Sequence, residues 1–373
     1  MTGTADQTAT TPAAPAAAPR GAANRRGPFR AGERVQLTDE RGRMNTVTLA
    51  VDGEFHSHRG VLPHAELIGR PEGTVVENSA GFRYQALRPL LKDFVLSMPR
   101  GAAVVYPKDA GQIVTMADIF PGARVVEAGV GSGALSISLL RAVGDAGHLH
   151  SFERRAEFAD IARGNVETMF GGPHPAWQIT IGDLAEELGA HEEPGSVDRV
   201  VLDMLAPWEC LDAVATALTP GGVVMCYVAT VTQLSRTAEA MRADGRFTEP
   251  EASETMVRGW HVEGLAVRPD HRMVAHTGFL VSARRLADGS ERLAPKRRAS
   301  KSEFSQEDLD AWTPVSLGER DVSDKKLRRA ARDALGLAAR AATAGPGAPA
   351  GTAPVDGTSP GSTGPEAPEE ERP

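Results

Sequence analysis

The run Val125-Val126-Glu127-Ala128-Gly129-Val130-Gly131-Ser132-Gly133-Ala134-Leu135 constrains this chain more than any other segment. Val125 to Ala128 reads as a buried strand, the glycines as a tight turn, and Ala134 onward as an amphipathic helix. Gly129, Gly131 and Gly133 let the backbone bend and approach a ligand, while the amides of Ser132, Gly133, Ala134 and Leu135 open the helix as a binding end. A strand feeding such a turn and helix belongs to a parallel α/β sheet. The turn alone does not choose its ligand. Gly129, Gly131 and Ala134 also satisfy the G-x-G-x-x-A pattern of dinucleotide sites.

The flanking sequence extends the same alternation. Helical periodicity covers Ala110–Ile119, Ala134–Val143, Ala156–Met169, Trp208–Leu218 and Val231–Ala243. Strands are predicted at Ala123–Glu127, His148–Phe152, Trp177–Ile181, Val197–Leu202 and Gly222–Tyr227. Two long extended runs follow, Glu254–Val267 and Gly278–Arg285, separated by Arg268-Pro269-Asp270. With no crossover helix between them they predict an antiparallel hairpin that closes one sheet edge. The expected fold class is therefore α/β, a Rossmann-like class I methyltransferase sheet with an antiparallel closing hairpin, preceded by a small all-β domain. That first domain follows from short strands around Val35–Leu37, Thr46–Val51, Gly60–Leu62, Thr74–Val76 and Phe82–Leu87, set apart by turn residues.

The expected organisation is a disordered tail over 1–26, a β-barrel-like domain over 27–92 and a methyltransferase domain over 93–290. A basic, partly helical extension covers 291–342, and a Pro/Gly-rich acidic tail covers 343–373. Both tails lack the apolar periodicity that would offset the entropy of ordering. No run has the apolar length of a membrane span, and the N-terminus has no signal-peptide core, so a cytoplasmic protein is expected. Cys210 and Cys226 sit in apolar patterns without a His/Cys cluster, and His56, His58 and His64 have no ligand spacing, so no metal is expected. The chain carries a net charge of −8. Binding of a polyanion must therefore rest on local basic patches. Arg30, Arg34, Arg41 and Arg43, with Arg268 and Arg272, are the candidates; the run Lys325-Lys326-Leu327-Arg328-Arg329 reads first as a solvated helix.

Acids at successive strand ends narrow the chemistry. Glu127 lies two residues before the first glycine, where it repels a pyrophosphate and suits a cationic ammonium or sulfonium ligand. Glu153, ending the second strand, suits a pair of ribose hydroxyls. Asp183, after the third, suits an adenine amino group, and Phe158 on the intervening helix is placed to face that ring. Asp203 ends the fourth strand, followed by Pro207-Trp208. Each acid alone also fits a helix cap. Together they make simple capping a poor account of all of them; Glu153 suits either cofactor class, while Glu127 and the closing hairpin disfavour a nicotinamide dehydrogenase and suit S-adenosyl-L-methionine.

Tyr106-Pro107-Lys108-Asp109, the Glu127–Leu135 loop, Asp203 to Trp208, Gly259-Trp260 and His276-Thr277-Gly278-Phe279-Leu280 occur together and in this order. Over roughly residues 27–287 the chain resembles the bacterial tRNA (adenine-58-N1) methyltransferase family. The resemblance implies methyl transfer to N1 of adenine 58 in the tRNA T-loop, and a homotetramer. It implies cofactor contacts at Ser132 to Leu135, Glu153, Phe158, Asp183 and Asp203, with Asp203 as catalytic acid and Tyr106 as an active-site tyrosine. The rival expectations are a methyltransferase acting on a protein carboxylate or small molecule, and a non-catalytic tRNA-binding subunit.

Overall fold

The computed structural model describes residues 24–293, 305–313 and 322–343. Apart from their inner ends, the tails expected at 1–26 and 343–373 lie outside the described residues. Six short strands open the chain: β1 (Arg34–Asp39), β2 (Met44–Thr48), β3 (Glu54–Ser57), β4 (Gly60–Pro63), β5 (Val75–Glu77) and β6 (Arg83–Leu87). They form an antiparallel sheet of order β2-β1-β6-β5 and a separate β3–β4 hairpin. The Asp39 carboxylate accepts from the amides of Arg41 and Arg43, which fixes the β1–β2 turn. Phe29, Val35, Leu37, Leu49, Leu62 and Ala86 are buried together beneath the strands. β3, only half-buried, carries too little apolar alternation to be predicted.

Two helices lead into the larger unit. α1 (Leu91–Ser97) spans the expected boundary between the two domains, and α2 (Pro107–Met116) starts earlier than its apolar pattern because Pro107 is pre-set for a first helical turn. Alternation then proceeds through β7 (Arg124–Ala128), α3 (Ala134–Val143), β8 (His148–Glu153), α4 (Ala156–Phe170), β9 (Trp177–Ile181), α5 (Leu184–His191), β10 (Val197–Asp203), α6 (Leu211–Ala217), β11 (Leu218–Val228) and α7 (Val231–Asp244). Pro207–Cys210 forms a short 3-10 turn ahead of α6 rather than part of one continuous helix. Helix α5 was not anticipated; its Asp183 cap and the apolar pair Leu184 and Leu188 were the available signal.

The sheet order is β12-β15-β11-β10-β7-β8-β9, with β12 (Glu251–Ser253), β13 (Val257–Glu263), β14 (Ala266–Val274) and β15 (Phe279–Arg284) completing the strands. β7 to β11 are mutually parallel, and β15 slots antiparallel between β11 and β12. That last insertion separates it from the 3-2-1-4-5-6 order of a dinucleotide-binding domain. One face is covered by α1 to α3 and part of α4, the other by α5 to α7. Val200, Val201 and Leu202 are fully buried between these layers, each contributing about 1.5–3 kcal/mol of transfer free energy.

The closing hairpin differs from expectation. The strands that close the edge are β12 and β15, while β13 and β14 form a two-stranded ribbon of their own. The ribbon turns at Gly264, at φ 52°, and not at Arg268-Pro269-Asp270. Pro269 lies within β14 opposite Trp260, which an isolated ribbon tolerates because its outer edges need no ladder partner.

Two helices follow, α8 (Gln306–Trp312) and α9 (Asp324–Thr343). α9 is docked, not solvated all round: Leu327, Ala330 and Ala334 pack on Phe158 and Ile161 of α4. Gly164 marks the point of closest approach. Glycine costs a helix interior about 1 kcal/mol relative to alanine, yet a Cβ here would collide with the backbone of Ala334. Gly164→Leu should therefore destabilise despite its better helix propensity, by about 1–3 kcal/mol. Urea denaturation gives the magnitude, and faster proteolysis within α9 would locate the damage; an unchanged midpoint would contradict the docking.

Candidate active site

The chain reverses its direction of travel across the sheet between β7 and β10, so the loops at their carboxyl ends part and leave a crevice. A cleft of about 440 Å³ lies there, lined by Gly129, Phe152, Glu153, Arg154, Asp203 and Leu205 among others. This is a size suited to a nucleoside-bearing ligand. Gly129, at φ 86°, passes so close to the carbonyl of Asp203 that no side chain fits between them. Gly133 caps α3 in the left-handed conformation. Ala134 and Leu135 send their side chains into the core, so only their amides face outward. Ser132 is buried, its hydroxyl accepting from the Gly101 amide at 3.2 Å.

Two residues not singled out in the sequence hold these loops. Asn165 of α4 donates to the carbonyls of Ser132 at 2.9 Å and Pro99 at 2.8 Å. Gln233, in the Thr230 capping box of α7, donates to the Leu205 carbonyl at 2.9 Å. Both act through the three-dimensional fold, and neither belongs to a local motif.

The acids divide by role. Glu153 accepts from the Gly131 amide and from the Arg155 amide, each at 3.1 Å, so it braces the glycine turn while lining the cleft. Glu127 is fully buried beneath the turn and is not in the cleft wall; one carboxylate oxygen accepts from Ser136 at 2.8 Å and Ser151 at 2.7 Å. Its other oxygen is buried without a hydrogen bond. Burial, opposed by the two serines and aided by Glu153, pushes Glu127 up to about 7. Asp203 is likewise raised to about 7, by burial first and then by Glu127 and Glu153. Asp183 caps α5 through the Ala185 amide at 2.8 Å and pairs with Arg154. The capping alternative weighed for it from sequence is thus realised.

Phe158 does not face the cleft. Its ring is fully buried against Ile161 and Leu327, with the Arg155 guanidinium 4.0 Å above it. The docking of α9 turns that position into core, which no local pattern on α4 predicts. Tyr106 stands half-buried at the N-cap of α2. Beside Asp203 in the register, Tyr227 donates to the Thr277 carbonyl at 2.7 Å; Thr277 donates to Asp109 at 2.5 Å, and Lys108 to Asp109 at 2.7 Å. The Tyr106-Pro107-Lys108-Asp109 and His276-Thr277-Gly278 motifs thus meet through a buried polar chain next to Asp203. At the other end of β8, His148, His150 and Glu192 bring ligand-type atoms within 4.8 Å of one another. Glu192 is held there by Arg124 and His150, each at 2.8 Å, as a charge-compensated group.

An orphaned buried carboxylate oxygen, a glycine cradle that excludes side chains, and raised acids around one crevice suit a cationic nucleoside ligand. With the antiparallel strand inserted at the sheet edge, they define a class I methyltransferase of the S-adenosylmethionine-dependent kind. Residues 27–76 match the family model "TrmI-like N-terminal", and 85–267 match "tRNA methyltransferase complex GCD14 subunit". The chain is 36 % identical over 254 residues to the tRNA (adenine(58)-N(1))-methyltransferase TrmI of Thermus thermophilus, covering 67 % of this chain and 95 % of that enzyme. It is 29 % identical to a tRNA (adenine(57)-N(1)/adenine(58)-N(1))-methyltransferase TrmI of Methanocaldococcus jannaschii, covering 66 % of this chain and 93 % of the relative. Among solved structures, the tRNA (m1A58) methyltransferase TrmI of Aquifex aeolicus superposes with a TM-score of 0.61 at 28 % identity, over 70 % of this chain and 99 % of that one. A Thermotoga maritima protein described as an S-adenosylmethionine-dependent O-methyltransferase gives 0.66 at 32 %, over 70 % and 96 %. The chain belongs to the TrmI family of tRNA methyltransferases.

The raised acids have a consequence for binding. Glu127 and Asp203 hold protons below about pH 7 in the free protein, and a cation nearby favours their ionised forms. Binding of S-adenosylmethionine should therefore expel protons at and below neutral pH, and affinity should rise as pH is raised toward about 7. Above that range both acids are already ionised and the effect disappears. Calorimetry in two buffers of different ionisation enthalpy measures the protons; buffer-independent heats at pH 7 would contradict the assignment.

Proposed function

We propose that this chain transfers a methyl group from S-adenosyl-L-methionine to N1 of adenine 58 in the T-loop of tRNA, as a cytoplasmic homotetramer. The observation that carries the reading is the match to the Thermus enzyme across nearly its full length, in a chain whose Asp203 edges the cleft at the end of β10. Bound S-adenosylmethionine supplies a methyl on a cationic sulfur. Glu153 would accept from the ribose hydroxyls, and the amides of Ser132, Ala134 and Leu135 would receive the amino-acid end, the Gly133 amide being taken by the Val130 carbonyl at 2.9 Å. Adenine N1 carries its own lone pair, so the protein needs alignment and negative charge more than a strong base. Asp203 supplies both by accepting from the exocyclic N6 amine, whose acidity grows as the ring becomes cationic. Tyr106, half-buried at the N-cap of α2, is the aromatic assigned to stack on or bond the extruded base. Asp183, engaged with its helix and Arg154, reaches an adenine amino group only with its remaining acceptor capacity.

Two rival readings are weighed by particular features. The Thermotoga neighbour's description as an O-methyltransferase favours a small acceptor. The N-terminal β unit, matched by the TrmI-like N-terminal model, favours RNA. An intact cofactor cleft weighs against a non-catalytic subunit. Nucleosides from a tRNA transcript incubated with the enzyme and S-adenosylmethionine should include 1-methyladenosine by mass spectrometry, and a transcript with adenine 58 replaced should yield none. Asp203→Ala should leave tRNA binding within a few-fold and lower turnover by roughly 10²-fold or more. Near-normal turnover in the variant would remove the catalytic role.

The ribbon supports self-association. Val257, Trp260, Val262, Leu265 and Val267 are all exposed on β13, β14 and their turn, a concentration of apolar surface that a lone monomer rarely presents. Assembly also bears on RNA, because Arg268 and Arg272 on the ribbon are exposed, as are Arg41 and Arg43. Arg30 and Arg34 contribute less: they are tied to Glu33 at 2.6 Å and to Ser97 at 3.0 Å. Replacing Trp260, Val262 and Leu265 together by Ser should reduce the assembly seen by light scattering without unfolding either core. An unchanged mass in solution would show that the subunits associate elsewhere.

A further inference from the structure

We propose that α9 is an RNA-binding strap: it clamps α4 with one face and presents the other to the phosphate backbone of the tRNA. The inference rests on the tRNA methyltransferase reading and extends it to a segment beyond the matched family models, which end at residue 267. Leu327, Ala330, Ala334 and Ala338 are buried at helical spacing, and Lys325, Arg328, Arg329 and Arg332 occupy the opposite face, all exposed. Those four cations sit at i, i+3, i+4 and i+7, a row of roughly 10 Å along the helix. α9 carries six bases against two acids in a chain whose net charge is −8. Its ion pairs, Arg328 with Asp324 at 3.5 Å and Arg329 and Arg332 with Asp333 at 3.8 Å, are long and exposed. Such pairs hold little energy and yield readily to a polyanion.

Location distinguishes this face from ordinary solvated charge. Leu327 and Phe158 both pack against Gly101, where a Cβ would lie 2.7 Å and 2.9 Å from them, and the Gly101 amide donates to Ser132 of the cofactor turn. The first turn of α9 is therefore fastened beside the cofactor cleft, and the contact at Gly164 fixes the helix against rotation. A membrane surface is the poorer occupant, because the apolar stripe needed for insertion is spent on α4.

The test uses the full chain with Lys325, Arg328, Arg329 and Arg332 all replaced by Gln, which preserves helix propensity. KM for unmodified tRNA should rise about tenfold or more, and the salt dependence of tRNA affinity should flatten by about two to four in logarithmic slope. S-adenosylmethionine affinity and turnover at saturating tRNA should stay within about twofold of wild type. Lys at the three arginine positions, with Lys325 kept, should restore most of the tRNA affinity, which a purely structural role would not predict. Should the quadruple variant fail to fold by circular dichroism, Arg328→Gln with Arg332→Gln is the substitute, with about a threefold loss expected. Filter retention of tRNA scores the binding arm even if wild-type protein methylates no tRNA, so failure of the activity and failure of the strap are separable. Unchanged tRNA affinity and salt slope would overturn the proposal, as would tighter binding of wild-type protein to phosphatidylglycerol vesicles than to tRNA.

Discussion

At the end of β7 the backbone of Gly129 lies against the carbonyl of Asp203, and the amide of Gly129 donates to the Phe152 carbonyl at 3.1 Å. Three strand ends, those of β7, β8 and β10, are thereby drawn to one point. Any side chain at position 129 would push β10 away and move Asp203 out of the cleft. The glycine turn can then rise over the sheet edge, α3 starts from Gly133, and Asn165 of α4 secures the turn from above. The cleft is a product of this one close approach, made possible by a residue without a Cβ.

Bringing those strand ends together also concentrates negative charge. Glu153 raises Glu127, and both raise Asp203; of the three, Glu153 has a guanidinium close by, Arg155 at 3.7 Å. Glu127 and Asp203, both costly to ionise, favour a cationic ligand, because a cation offsets their burial and the repulsion from neighbouring acids. The serines on Glu127 compensate one of its oxygens and leave the other buried and unbonded. On the proposed reading, the same electrostatic field would also stabilise positive charge developing on a base beside Asp203.

The parts of this site legible in the sequence are those written in contiguous residues. The Val125–Leu135 run fixes strand, turn and helix because each residue answers to its immediate neighbours, and α3 and β9 appear with the boundaries expected. The edge hairpin was misread because alternation reports exposure on two faces but not which strand lies alongside. Glu254–Val267 alternates equally well in a ribbon and in a sheet. Tyr227, Thr277, Asp109 and Asn165 were not legible as site residues, since each acts through partners distant in sequence. Asp183, expected as a ligand contact or a cap, does cap α5 and also pairs with Arg154, partners that the local sequence does not rank against a ligand.

Phe158 carries the longest-range lesson. Its place on α4, just after β8, makes it a reasonable neighbour for a ring bound at Glu153, and nothing between residues 150 and 170 says otherwise. The alternative partner lies far along the chain, in Leu327, Ala330 and Ala334. An aromatic ring left at the surface gains from any apolar cover, and α9 provides it while Gly164 lets the two backbones close. Arg155 then stacks on the ring's other side and still borders the cleft. The C-terminal helix is thus continuous with the cleft and the glycine turn through Phe158, Arg155 and Gly101. The α9 cations, the proposed phosphate contacts, sit on a helix anchored through Gly101 to the Ser132 turn.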